Sequence, residues 1–293
     1  KAISVKNGKI KYDGYDLSKF TTPRFVFSTK ELEGQYRKLL GAFSGVVPTM
    51  IAYCVKTNSD AGILKVLEKE GSSFMVCSVE ELKLLRKSVK KSEIVYVSPF
   101  LSKDEFLKVM GLGVKRFVIE SKEQYSMIKK NIGKKRIELL VRVNTKTEAN
   151  GIYPNSNSFG MDVGDALEIL EGAYGNKGIT KIGIHNHMTT QNTTLSSWEK
   201  SLQIIVEFGK QLSMRGVKLD YLDIGGGFPV EYGEKLPSFD SIVETISYGV
   251  VALQNIFPEI QLILEPGRFL VGPAGVLVTR VINVKNKMVT VDA

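Results

Sequence analysis

Short apolar runs alternate with longer amphipathic stretches along most of this chain. The apolar runs are rich in β-branched and aromatic residues, which is typical of buried strands, and the stretches between them carry apolar residues at helical spacing. Together they predict a repeated strand-then-helix order. The predicted strands are Met50 to Lys56, Phe74 to Ser78, Ile94 to Ser98, Arg116 to Glu120, Glu138 to Asn144, Lys181 to His187, Tyr221 to Ile224 and Gln261 to Glu265. The predicted helices include Asp60 to Glu70, Val79 to Lys87, Lys103 to Met110, Lys122 to Asn131, Val163 to Gly172, Thr194 to Met214 and Phe239 to Asn255.

Helix-start signals support this order. Ser78, Ser102 and Ser121 each precede a predicted helix and have Glu or Gln three residues later, as in a capping box. Eight β-α units predict a (β/α)₈ TIM barrel, an α/β fold whose typical size of about 250 residues matches the span from 25 to 268. A doubly wound open sheet is the competing architecture.

Composition predicts a soluble, compact protein, because 43% of the 293 residues are hydrophobic and 24% are charged. No apolar run approaches the roughly 20 residues that span a bilayer, so we expect a cytoplasmic protein with no membrane partner. The net charge of +9 comes from scattered lysines, which indicates a solvated surface and not a nucleic-acid site. Cys54 and Cys77 lie in apolar runs and are expected to be reduced, and two histidines give little support for zinc.

Reactive side chains collect where the predicted strands end, as a barrel requires. A lysine amine forms Schiff bases, consecutive glycines leave backbone N–H groups open to a phosphate, and an arginine matches phosphate geometry. Each type alone has an ordinary explanation: a solvated lysine, a simple β-turn, a surface salt bridge. These residues are Lys56, Arg142, His187, the turn Gly225, Gly226 and Gly227, and the segment Glu265-Pro266-Gly267-Arg268.

In these motifs the chain resembles the fold-type III pyridoxal 5′-phosphate (PLP) decarboxylases, the group that acts on diaminopimelate, ornithine, arginine and lysine. The resemblance implies an alanine racemase-like barrel. It also implies that Lys56 forms the Schiff base with the cofactor, that Glu265 contacts the pyridine nitrogen, and that His187 lies on the ring face. The remaining implied cofactor contacts are Arg142 at the ring oxygen and, around the phosphate, Thr190, Gly225, Gly226, Gly227, Gly267 and Arg268.

Two details of this interpretation concern side-chain environment. Lys56 is expected to be buried, so that burial disfavours its ammonium form and helps to supply a free amine. His185 is expected to be a structural residue that points away from the site.

The resemblance also implies a domain organisation. Residues 1–24 are predicted to contribute a strand, Ile3 to Tyr12, to a β-domain; residues 25–272 form the barrel; and residues 273–293 begin the β-domain, which is incomplete here. In the family, a homodimer shares its active site and the partner supplies the acidic cysteine. A chain that starts without methionine and stops within a strand is therefore expected to be a fragment, incomplete for activity on its own.

Substrate choice rests on small signals. The segment Thr22-Pro23-Arg24-Phe25-Val26-Phe27 and Gln191 favour meso-diaminopimelate, whereas Phe228 after the glycines favours ornithine, lysine or arginine. Thr189, Ser158 and Met75 depart from the family pattern, with unknown effect on the site. A non-catalytic PLP-binding protein is the alternative from another class. A dinucleotide-dependent oxidoreductase is unsupported, since the chain lacks a Gly-x-Gly-x-x-Gly fingerprint.

Overall fold

Eight parallel strands close into a barrel at the centre of the computed structural model, which describes residues 3–7, 9–148 and 159–293. The described strands in chain order are β1 (Ile3–Lys6), β2 (Lys9–Tyr12), β3 (Tyr15–Asp16), β4 (Arg24–Phe27), β5 (Thr49–Cys54), β6 (Ser73–Val76), β7 (Ile94–Val97), β8 (Arg116–Ile119), β9 (Ile137–Arg142), β10 (Ile179–His185), β11 (Tyr221–Asp223), β12 (Gln261–Leu264), β13 (Gly275–Val278), β14 (Val281–Lys285) and β15 (Met288–Val291). Strands β5 to β12 form the barrel, in which β12 pairs with β5, so the predicted barrel is confirmed and the open sheet is excluded.

Helices cover the outside of the barrel. The described α-helices are α1 (Thr29–Ser44), α2 (Ala61–Lys69), α3 (Val79–Ser88), α4 (Lys103–Gly111), α5 (Lys122–Asn131), α6 (Val163–Tyr174), α7 (Leu195–Met214), α8 (Phe239–Gln254) and α9 (Arg268–Val271). The predicted capping is confirmed, because Ser78, Ser102 and Ser121 each accept a hydrogen bond from the backbone N–H three residues later. Helix α1 was absent from the predicted set, although Ser28 caps it in the same way.

Side chains fill the inside of the barrel, and its amino-terminal end is closed by charge. An inner cluster includes Ala52, Leu140 and Ile263, none of them accessible to solvent. Below it, Arg116 donates to Glu138 at 2.7 Å and to the Tyr221 hydroxyl at 2.9 Å. Because the interior is packed, an open site can form only at the carboxyl ends of the strands.

The remaining strands lie outside the barrel sheet. Strands β1, β2 and β3 form one antiparallel sheet, β4 pairs with β13, and β14 pairs with β15. The strand expected from Ile3 to Tyr12 is thus two strands. Both β4, which pairs with β13, and Tyr12 of β2, whose hydroxyl donates to the Ala274 carbonyl at 2.7 Å, contact the region after the barrel. These extra strands agree with the predicted start of an all-β region, while the division at residues 24 and 272 stays a prediction.

Candidate functional site

A cavity of about 1130 Å³ opens at the carboxyl ends of the barrel strands. It brings together residues from all parts of the barrel sequence. Among the predicted site residues, Gly225 alone does not line the cavity; it packs against His187. The predicted residues that line the cavity are Lys56, Arg142, His187, Thr190, Gly226, Gly227, Glu265, Gly267 and Arg268.

Lys56 lies in a 3-10 turn, Val55–Thr57, immediately after β5, and not at the end of a longer strand. Just before this turn, the Cys54 N–H donates to the carbonyl of Pro266, two residues after the last barrel strand, at 3.1 Å. Gly267 has no side chain at the point where Thr57 packs against it; a Cβ there would collide with the Thr57 hydroxyl. These contacts hold the lysine turn beside the Glu265 to Arg268 segment.

The environment of Lys56 differs from the expected one. Its side chain is exposed to the cavity. Burial acts to lower the pKa of Lys56, but the titratable neighbours Cys54, Cys77 and Glu265 outweigh it, so this pKa is raised above its ordinary value. The expectation of a buried lysine with a disfavoured ammonium was therefore wrong.

The glycine turn after β11 leaves a hollow that side chains would fill. Gly225 and Gly227 have left-handed backbone angles, φ +67° and +92°. A Cβ on Gly225 would lie 2.6 Å from His187 Nδ1, and one on Gly226 would collide with the Glu265 carbonyl. Such a hollow, beside the half-buried Arg268, fits a phosphate group.

Glu265 is the buried carboxylate of the site, with 5% of its surface exposed. Its Oε2 lies 3.4 Å from His185 Nε2, and its Oε1 has no hydrogen-bond partner among the described residues. An unpaired buried carboxylate oxygen beside an open cavity fits the protonated nitrogen of a pyridine ring. Together with the lysine and the glycine hollow, it matches the chemistry of PLP.

Arg142 extends into the cavity from the end of β9 and is 9% exposed. Its Nη1 lies 3.6 Å from Glu120 Oε2, and its guanidinium lies 4.9 Å from the centre of the Phe159 ring. Burial lowers the pKa of Arg142, partly offset by Glu120 and Glu265. The guanidinium remains a cation at physiological pH and faces the same cavity as Glu265.

His187 lines the cavity and packs against the glycine turn. Its Nδ1 accepts a hydrogen bond from the Gly226 N–H, 3.3 Å away. The surrounding protein, with nearby Arg142, lowers the pKa of His187 to about 3, so the imidazole is neutral and can stack on an aromatic ring. Thr190 lines the cavity and Thr189 is buried. Ser158 lies outside the described residues.

His185 and Asp223 are site residues that the sequence interpretation missed. His185 lines the cavity and contacts Glu265, so the prediction that it points away was wrong. Residues two apart on a strand share a face, and this spacing from His187 was the available signal. Asp223 follows the interior residue Tyr221 by the same interval and is fully buried.

Sulfur atoms surround the approach to Lys56. Cys54, Met75 and Cys77 line the cavity, with Cys77 Sγ 3.5 Å from Met75 Sδ. Both cysteines are unpaired, as expected. Burial raises the pKa of the Cys54 thiol to about 12 and that of Cys77 to about 11, so both are neutral thiols at physiological pH.

The fold and the site define a (β/α)₈ barrel built to hold PLP. The chain belongs to the pyridoxal-dependent decarboxylase family, because its residues 29–272 match the family description "Pyridoxal-dependent decarboxylase, pyridoxal binding domain". The predicted family, fold and cofactor are confirmed. Among the helices of the described residues, none is sufficiently long and apolar to cross a membrane.

The relatives and solved structures described next are diaminopimelate decarboxylases; another matching structure, SrLDC in complex with PLP and cadaverine, is 25% identical, has a TM-score of 0.76, and aligns with 92% of this chain and 67% of that chain. The Pseudomonas fluorescens enzyme is 28% identical over 96% of this chain and 69% of its own length. The Neisseria meningitidis serogroup A enzyme is 31% identical over 94% of this chain and 69% of its own length. The Methanocaldococcus jannaschii structure is 25% identical, has a TM-score of 0.88, and aligns with 100% of this chain and 73% of that chain. The Helicobacter pylori structure, complexed with L-lysine, is 25% identical, has a TM-score of 0.84, and aligns with 94% and 71%.

Proposed function

We propose that this chain is the cofactor-binding part of a PLP-dependent amino-acid decarboxylase that converts meso-diaminopimelate to lysine. The observation that carries the proposal is the single cavity shared by Lys56, the glycine hollow, Arg268 and the unpaired Glu265 carboxylate. The relatives named diaminopimelate decarboxylase and a related structure that holds L-lysine support this substrate over the other basic amino acids.

When bound, PLP supplies the electron sink that accepts the electrons of the broken Cα–carboxylate bond. Glu265 would keep the ring nitrogen protonated, since it lines the cavity and its Oε1 has no partner among the described residues. The glycine turn and Arg268 would hold the phosphate, with Gly267 and Thr190 lining the same cavity.

The other side chains orient the reacting groups and hold protons. Lys56, exposed to the cavity, would supply the amine that anchors the cofactor. Neutral His187 would pack against the cofactor ring, and Arg142 would offer a cation to its ring oxygen. The neutral thiols near Lys56 add no charge to this pocket.

The wider setting belongs to the same proposal. We propose a cytoplasmic homodimer in which the partner completes the site, with the barrel at residues 25–272 flanked by segments of a β-domain. Light scattering of the full-length gene product at micromolar concentration tests the dimer, and a monomer would contradict it.

The cofactor site is tested by borohydride reduction of the protein mixed with PLP, followed by mass spectrometry. Reduction is expected to leave the cofactor attached to the peptide that contains Lys56. Lys56→Ala should abolish the adduct, while Lys65→Ala, a change at an exposed position of helix α2, should retain it. An adduct that persists in Lys56→Ala contradicts the assignment of this lysine.

Substrate choice is tested by carbon dioxide release from the full-length protein with PLP, supplied in turn with meso-diaminopimelate, ornithine, lysine and arginine. The greatest kcat/KM is expected for meso-diaminopimelate. A preference for ornithine or lysine would agree with the signal from Phe228 and contradict the proposed substrate. Cofactor attachment without release from any of the four would favour the non-catalytic alternative.

A further inference from the structure

Three ionisable side chains meet inside the barrel at the floor of the cavity, which His185 and Glu265 line. They are His185 at the end of β10, Asp223 at the end of β11 and Glu265 just after β12, with 1%, 0% and 5% of their surfaces exposed. One imidazole nitrogen of His185 and one carboxylate oxygen each of Asp223 and Glu265 lie within 4.8 Å of one another. Buried polar atoms of this kind normally have hydrogen-bond partners.

The carboxylate oxygens divide into partnered and unpartnered ones. Asp223 Oδ1 accepts the Gly225 N–H at 2.8 Å, and Glu265 Oε2 lies 3.4 Å from His185 Nε2. Asp223 Oδ2 and Glu265 Oε1 have no donor among the described residues. Within the same residues, no lysine or arginine forms an ion pair with either carboxylate; the arginines at the barrel centre pair with other acids instead.

Two buried carboxylates this close cannot both be ionised without a large electrostatic cost. The charged and titratable groups that act on Asp223 are Glu265 and Arg116, with Arg142 on β9 and His185 on the neighbouring strand β10. Burial, followed by the charge of Glu265, raises the pKa of Asp223 well above its ordinary value. Burial also lowers the pKa of His185, so this imidazole is neutral and brings no compensating charge.

We propose that Asp223 is a positioning residue that keeps its proton in the folded protein and donates it, as a hydrogen bond, to Glu265. The carboxylic acid then has two functions at once, because Oδ1 accepts the Gly225 N–H while the protonated oxygen holds Glu265. It therefore connects the carboxylate that faces the ring nitrogen to the turn that faces the phosphate. The role rests on the proposed cofactor site, but the protonation itself is a property of the cofactor-free protein.

The protonation is tested by infrared spectroscopy of cofactor-free protein labelled with ¹³C at the aspartate carboxyl groups. At neutral pH we expect a protonated-carboxyl band that is lost in Asp223→Asn. The band should persist in Asp104→Asn, a matched change at an exposed position of helix α4. A wild-type spectrum with ionised carboxylates alone overturns the proposal, whether or not the protein decarboxylates any amino acid.

The positioning role is tested by PLP affinity, measured by equilibrium dialysis. An asparagine at this position can accept from Gly225 with its oxygen and donate to Glu265 with its amide, so Asp223→Asn should bind PLP within about threefold of the wild type. Asp223→Ala removes the donor and should weaken binding about tenfold, the equivalent of one hydrogen bond to a charged group. Equal weakening in both variants refutes the role. If Asp223→Ala fails to fold, the infrared result and the asparagine variant still decide.

Discussion

Gly225→Ala is expected to destabilise the protein by about 2–5 kcal/mol, from two separable causes. The left-handed backbone of Gly225, at φ +67°, costs an alanine about 1–2 kcal/mol. The new Cβ would also lie 2.6 Å from His187 Nδ1 and 2.8 Å from His187 Cβ, and forcing such a contact apart costs about 1–3 kcal/mol. The displaced imidazole should also weaken PLP binding.

Gly216→Ala is the matched control. Gly216 also has a left-handed backbone, φ +75°, but no heavy atom beyond its chain neighbours lies within 4 Å of the position that an alanine Cβ would take. It should lose only the backbone contribution, about 1–2 kcal/mol. Urea unfolding of the cofactor-free variants, followed by circular dichroism, measures both free energies of unfolding. If the two variants are equally destabilised, the packing of His187 against the glycine turn has been overestimated and the argument fails.

Three further outcomes are expected. Glu265→Gln should lower the pKa of Lys56, measured by NMR titration of labelled lysine, because it removes one of the negative groups that raise it. His185 is buried and its pKa is lowered, so as the pH falls the unfolded chain takes up a proton at this residue before the folded protein does. The free energy of unfolding should therefore fall below pH 6.5, by at most about 1.4 kcal/mol per pH unit. Urea unfolding at several pH values should show a weaker pH dependence in His185→Gln. Arg116→Leu leaves buried partners unpaired and should cost about 3–5 kcal/mol of unfolding free energy, against less than about 1 kcal/mol for Arg37→Leu at an exposed ion pair.

Each of these outcomes has a clear opposite. An unchanged or higher lysine pKa in Glu265→Gln would show that Glu265 does not act on Lys56. An equal pH slope in His185→Gln would mean that this histidine is protonated in the folded protein. Similar costs for the two arginine variants would show that the charge cluster at the closed end of the barrel contributes no more than a surface pair.

The barrel was predictable because its signals are local. Apolar runs mark the strands, and Ser78, Ser102 and Ser121 mark helix starts, so the order of elements can be read without knowing any long-range contact. Helix α1 was missed although Ser28 and Glu31 form the same pattern, because it precedes the first barrel strand and so lies outside the strand-then-helix repeat. The position of Lys56 on a turn depends on the distant Pro266 carbonyl, which no local pattern encodes.

The site was predictable in its residue types and less so in its environments. Lys56, Arg268 and Glu265 stand out as polar groups at strand ends, and barrel topology alone brings such ends together. The exposure of Lys56, and the sign of its pKa shift, depend on charges contributed by neighbouring strands. Asp223 was overlooked because an aspartate before glycines is also common in simple turns, and only the closed barrel places it against Glu265.

Because β5 pairs with β12, the complete cofactor site can form only after the last barrel strand has joined the first. Lys56 is among the first barrel residues to leave the ribosome, whereas Glu265 and Arg268 are among the last. The amine therefore has no counterpart until the closing strand docks beside it. Since PLP gains its full set of contacts only from the closed ring, it selects that state by mass action over every partly assembled chain. Loading of the cofactor should therefore report that the ring has been completed.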